Sequence, residues 1–144
     1  MERGNKLVIK EDSLKAMISN ALDAFPEECC GFFYSGAVHS EEGVCCVLDV
    51  VNVSETKRGQ FRISASSYSF AEKYGDKNNL VLQGVYHSHP DHPARPSRTD
   101  EEFAFGDFKY VIVSVGAGTV NETRCWQLDE NMHFRELEIE IKKQ

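Results

Sequence analysis

The sequence predicts a mixed α/β (α+β) domain, and three observations carry that prediction. Apolar residues recur at helical spacing in one long segment near the start. Short apolar, strand-like runs recur along the rest of the chain between turns rich in Gly, Asn and Asp. The closeness of several of these runs implies hairpins, so the sheet is not purely parallel.

Residues 7–9 (Leu-Val-Ile) read as an opening strand. Asp12 or Ser13 then supplies an N-cap, and Leu14, Met17, Ile18, Ala21, Leu22 and Phe25 follow at i, i+3, i+4, i+7, i+8 and i+11, one amphipathic face. Pro26 ends that helix, because a proline disfavours helical geometry in the residue before it. Residues 29–34 and 44–53 read as strands around the turn-rich stretch 36–43, and residues 61–64 as a further short strand. Ser66 or Ser67 caps a second helix running to about Tyr74, with Gly75 and Asp76 as its stop. Residues 80–87 are strongly apolar and read as a central strand. A proline-rich loop, 90–96, leads to Ser97 and Asp100, an N-cap and an acid in the first turn of a third helix. Residues 110–115, 123–128 and 133–141 complete the strands, with turns at 116–118 and 129–131.

The chain has 144 residues, 41% apolar and 27% charged, enough for one core, and the whole span 1–144 reads as a single domain. Its formal charge of −7 is a poor start for binding nucleic acid or an anionic membrane surface. No apolar run is long enough to cross a bilayer, and no apolar stretch follows the charged N-terminus, so a cytoplasmic location without membrane contact is expected. The five cysteines include the neighbours Cys29/Cys30 and Cys45/Cys46, with Cys125 alone. Neighbours on a strand face opposite ways, so these are expected to be reduced, buried thiols rather than a metal site, a disulfide framework or a nucleophile.

His87-Ser88-His89 carries the chemistry. At strand period two, His87 and His89 share a face while Ser88 points away, so two imidazoles can converge on one metal. Asp100, brought back by the loop, can add a carboxylate. Two histidines and one carboxylate leave a fourth position open, the pattern of a catalytic zinc. Read alone, Asp100 is first a partner of the helix dipole, and Glu27 and Glu28 at the helix-to-strand junction are first solvated turn residues.

His87-Ser88-His89-Pro90, six residues, Ser97, two residues and Asp100 resemble the motif of the JAMM (MPN-plus) metalloproteases. Pro26-Glu27-Glu28-Cys29-Cys30-Gly31 is similar to the family's Pro-x-Glu-x-x-Gly segment. The order of elements fits over about residues 6–140. The resemblance implies a mixed, curved sheet flanked by helices, similar to the cytidine deaminase fold. It implies that His87, His89 and Asp100 bind Zn²⁺, that Glu28 rather than Glu27 moves the proton of the attacking water, and that Ser97 stabilises the oxyanion. Asp91 and His92 are spare donors in the loop, not expected on the metal.

The short chain resembles prokaryotic members that act on ubiquitin-like sulfur-carrier proteins, hydrolysing the amide after a C-terminal Gly-Gly. An extended tail of that kind can add to a sheet edge near residues 53–64. Arg95 and Arg98 flank the motif loop and can receive the carboxylate of a single-residue leaving group, or can be solvated charges. The alternatives are isopeptide cleavage from lysine in protein conjugates and, in a different class, a non-catalytic interaction scaffold, against which the complete set Glu28, His87, His89, Ser97 and Asp100 argues.

Overall fold

The computed structural model describes residues 5–143; residues 1–4, read above for a leader, and residue 144, the end of the expected domain, lie outside these. In chain order the elements are β1 (Lys6–Lys10), α1 (Glu11–Ala24), β2 (Cys30–Gly36), β3 (Val44–Val50), α2 (Ala65–Lys77), β4 (Leu80–Pro90), α3 (Arg98–Glu102), β5 (Lys109–Gly116), β6 (Thr119–Leu128) and β7 (Phe134–Lys142). The strands lie in the order β1-β3-β2-β4-β5-β6-β7 and close on themselves. This is the mixed α/β domain that the sequence predicts and the curved sheet with flanking helices that the motif's resemblance implies. Closure comes from β1, which pairs in parallel with β7 from Lys6↔Glu138 to Lys10↔Lys142 and touches β3 through Ile9↔Val44. Among the described residues, no helix is long and apolar enough to cross a membrane.

The continuous apolar runs of β2 and β4 are explained by burial on both faces. Phe33 and Tyr86 pack with Leu7, Ile9, Met17 and Ala21 under α1. Their chain neighbours Phe32 and Val85 point the other way, toward Tyr34, Ala71 and Tyr110 beside α2. Strand alternation thus splits one sheet between two cores. β4 sits between β2 and β5, antiparallel to the first and parallel to the second, which puts its C-terminal end deep inside the fold.

Several boundaries differ from expectation. α1 begins at Glu11 with Lys10 as an N-cap lacking any side-chain bond, because β1 stays paired up to Lys10 and turns straight into the helix. α2 is capped by Ser64, which accepts from the Ser67 N–H, and it continues through Gly75 to Lys77. Gly75 is a packing residue there rather than a stop: a Cβ on it would lie 3.1 Å from the Leu80 carbonyl oxygen and 3.2 Å from the Tyr34 ring. β3 ends at Val50, and residues 61–64 form no strand. The Arg62 N–H is given to the Asn52 side chain and the Arg62 carbonyl to Val53, so no neighbouring strand is served.

Gly84 marks the closest approach of β4 to β5, where a Cβ would overlap the Lys109 carbonyl oxygen and press on Phe33. Gly84→Ala is therefore expected to cost roughly 3 kcal/mol or more, since backbone rather than a flexible side chain must yield. A urea midpoint equal to that of the parent protein would refute this view of the β4–β5 seam.

Candidate metal centre and active site

The C-terminal end of β4 is buried, with His87 1%, Ser88 0% and His89 8% exposed. Ser88 points away from the histidines, and its Oγ accepts the Cys29 N–H at 2.8 Å, tying β4 to the chain just before β2. His87 and His89 share the opposite face, as strand period requires.

The following loop is held at almost every residue. The Asp91 N–H donates to the Val115 carbonyl, and the Ser114 hydroxyl to the His92 carbonyl. His89 Nδ1 lies 2.9 Å from the Pro93 carbonyl. The Ala94 N–H donates to Glu122 at 3.0 Å, and Trp126 Nε1 donates to the Ala94 carbonyl at 3.0 Å. This clamp from β5 and β6 delivers Ser97 to the start of α3. There Ser97 Oγ accepts the Asp100 N–H at 3.0 Å and Asp100 Oδ2 accepts the Ser97 N–H at 2.9 Å, a reciprocal capping box.

The same Oδ2 lies 3.3 Å from His87 Nε2 and 3.2 Å from His89 Nε2, and the two nitrogens are 3.1 Å apart. Tetrahedral coordination at about 2.0–2.1 Å places ligand atoms about 3.3 Å apart, so this triangle has the dimensions of one face of a zinc site. The tautomer agrees. Only an Nδ1–H can serve the Pro93 carbonyl, which leaves the His89 Nε2 lone pair facing the carboxylate. Two acceptors at that distance repel unless a cation or a proton lies among them. The residues present therefore fit a zinc ion. Burial disfavours the charged form of His89, but Asp100 and the Pro93 carbonyl outweigh it and raise its pKa. Burial lowers His87 despite Asp100. Burial opposes ionisation of Asp100 as well, yet His87, His89 and the Ser97 N–H hold its carboxyl well below the usual range. His87 stacks on Phe61, with centroids 4.2 Å apart and planes 24° from parallel.

Glu28 is buried, and one of its oxygens lies with the His87 and His89 ring nitrogens inside a group whose atoms are within 4.8 Å of one another. Burial pushes its carboxyl up to about 8, with His89 opposing and Asp100 assisting. Glu27 is exposed and borders an open cavity of about 610 Å³ together with residues 54–59. The two acids do face opposite ways, though not because they lie on a strand. The Glu28 N–H donates to the Lys57 carbonyl and its carbonyl accepts from Asn52, so a loop rather than a sheet partner orients it.

Asp91, His92, Arg95 and Arg98 are exposed. Sequence reasoning passed over Asn52, Phe61, Glu122 and Trp126, none of which carries a spacing signal; the one tryptophan of the chain was the best available clue.

All five cysteines are free. Burial pushes Cys29 up to about 11 and Cys30 and Cys125 up to about 12, so these three buried thiols are not ready thiolates. Cys45, expected to be buried, is exposed, and Cys46 is only partly buried; the β2–β3 register passes from Tyr34↔Cys46 to Ser35↔Val44 and skips Cys45. Iodoacetamide at neutral pH should modify Cys45 well ahead of Cys29, with little inhibition, whereas a zinc chelator should inhibit strongly. Peptide mass mapping checks the order. Fast labelling of Cys29 with loss of turnover would point to a cysteine nucleophile instead.

The model of the prokaryotic homologs of the JAB domain matches residues 10–129. A solution structure from Desulfitobacterium hafniense superimposes with a TM-score of 0.81 at 25% identity, covering 96% of this chain and 94% of that one. A protein from Salinibacter ruber gives 0.69 at 33% identity over 94% and 91%. The crystal structure of a JAB1/MPN domain protein from Archaeoglobus fulgidus gives 0.59 at 21% identity over 92% and 98%, a likeness of fold. No curated protein matches the chain.

Proposed function

Because the chain belongs to the prokaryotic homologs of the JAB domain, the JAMM family its motif resembles, we propose that it is a zinc-dependent peptidase or isopeptidase. Its substrate on this reading is the amide bond that follows the C-terminal Gly-Gly of a ubiquitin-like or sulfur-carrier protein. One observation carries the proposal: the 3.1–3.3 Å triangle of His87 Nε2, His89 Nε2 and Asp100 Oδ2 with the buried Glu28 carboxyl beside it.

His87, His89 and Asp100 would hold the metal. Bound there, zinc supplies Lewis acidity toward an amide carbonyl and makes water acidic enough to act near neutral pH. A Glu28 carboxylate oxygen takes the proton of the attacking water and returns it to the leaving amine, a role that its buried place beside the His87 and His89 ring nitrogens suits. Ser97 Oγ accepts the Asp100 N–H, which leaves its O–H free to donate to the developing oxyanion. Capping and catalysis thus use different lone-pair and proton positions of one hydroxyl.

Glycines suit this site because Glu28 is buried and only a backbone without side chains can approach it closely. Residues 53–60, expected to border a sheet edge, carry no strand, and the N–H groups of Val53, Ser54, Thr56, Gly59 and Gln60 are bonded within the loop, so strand addition of a tail has no edge to use there. Arg95 and Arg98, exposed on either side of Ser97, suit the free carboxylate of a small leaving group. The test is metal analysis of the purified protein, then mass spectrometry of carrier–Gly-Gly–peptide and carrier–Gly-Gly–lysine conjugates. Cleavage of the first supports peptidase action and cleavage of the second alone an isopeptidase. A zinc-loaded protein that cuts neither would be a scaffold.

A further inference from the structure

We infer that Asn52 is a positioning residue for Glu28, latching the general base to the loop that crosses the site. The inference rests on the reading of Glu28 as the base. Asn52 follows β3 and is 9% exposed. Its Nδ2 donates to the Glu28 carbonyl and to the Gln60 carbonyl, each at 3.0 Å. Its Oδ1 accepts the Ser54 N–H and the Arg62 N–H, each at 3.0 Å. A primary amide has two donors and two acceptor positions, so this side chain is fully used.

The two halves of the amide do different things. The oxygen folds residues 53–62 into a closed loop by holding both of its ends. The nitrogen joins that loop to the backbone of Glu28, whose own N–H donates to Lys57 of the same loop at 2.7 Å. Glu28 precedes β2, so no sheet ladder holds it; both of its main-chain polar groups depend on residues 52–57. The loop also carries Phe61 onto the His87 ring. The next residue, Cys29, is tied to β4 through Ser88, so the loop sets the position of the Glu28 peptide itself, and a small displacement of a proton-transfer group is costly, on the order of 10²-fold for about 1 Å.

Asn52→Asp separates the two halves. The carboxylate still accepts from Ser54 and Arg62, but the Glu28 and Gln60 carbonyls lose their donor and face an oxygen. Amide hydrogen exchange of the metal-free protein should show the Glu28 N–H exchanging at least about tenfold faster, with the Ile112 and Val113 amides of β5 unchanged. In the zinc-loaded protein at matched metal content, kcat on a carrier–Gly-Gly–peptide conjugate should fall about 10–100-fold with KM and zinc affinity unchanged. Should Asn52→Asp not fold, Asn52→Ala removes the latch together with the loop closure, and the Glu28 exchange and kcat must still change while Ile112 and Val113 do not. Unchanged exchange at Glu28, an equal rise at Ile112 and Val113, or an unchanged kcat would each overturn the inference. If the parent protein binds no zinc or cleaves no conjugate, the functional reading fails, while the exchange measurement still decides whether Asn52 holds Glu28.

Discussion

Glu28→Gln is expected to keep one zinc per chain and to lose about 10²–10⁴ of the turnover, roughly 3–5.5 kcal/mol of transition-state stabilisation. The amide preserves the shape of a side chain packed into the protein interior and removes its capacity to take a proton. Glu27→Gln, one residue away but exposed, should change turnover by less than about tenfold. The comparison is made at matched zinc content on a Gly-Gly conjugate, and an inactive Glu27→Gln beside an active Glu28→Gln would reverse the assignment.

A second readout of the same variant needs no substrate. In the metal-free protein burial holds the Glu28 proton up to about pH 8, whereas in an unfolded chain the carboxyl ionises near its ordinary value of 4.5. Between those values the folded state binds more protons than the unfolded one, so this group's contribution to stability falls as pH rises. Metal-free Glu28→Gln should therefore gain thermal stability over the parent protein at pH 8 relative to pH 5. An equal difference at both pH values would show that the carboxyl ionises in the fold as it does in water.

His87→Ala, His89→Ala and Asp100→Ala should each abolish tight zinc binding and, with it, measurable turnover, because three protein ligands leave no redundancy. Metal analysis after dialysis against a chelator is the check; retention of one equivalent in a double histidine variant would discard the site. Asp100 requires a further control, since its Oδ2 also accepts the Ser97 N–H in the capping box. Asp100→Ala should lose about 1 kcal/mol of α3 capping in addition to the metal, whereas Asp100→Asn keeps a capping acceptor while removing the charge. Loss of zinc from both variants with a smaller change in Tm for Asp100→Asn separates ligation from capping. The fold itself should survive metal loss, because the closed sheet is packed on both faces without it.

Local pattern was sufficient for much of this protein. Period two placed His87 and His89 on one face and Ser88 on the other, and that is how they lie. The 3.6-residue stripe of α1 and the central, buried place of β4 were equally legible, since the one follows from side-chain direction and the other from a continuous apolar run. Element ends were less so. The second helix passes through Gly75 because Tyr34 and Leu80 close over it, and residues 61–64 are not a strand because their hydrogen bonds go to Asn52 and Val53.

By itself, then, the sequence determined the kinds and order of the elements apart from the expected strand at 61–64, and a set of five residues whose motif spacing resembles one family of metalloproteases. Tertiary structure alone decided that Glu28 turns inward and Glu27 outward, that one oxygen of Asp100 meets two imidazoles and a backbone N–H at once, and that β1 closes the sheet on β7 more than a hundred residues away. The physical reason is the same in each case. Side-chain direction along a helix or strand follows from its period, but the partner of a buried polar group is whichever donor or acceptor the packed chain brings within hydrogen-bonding distance, and no local spacing encodes that.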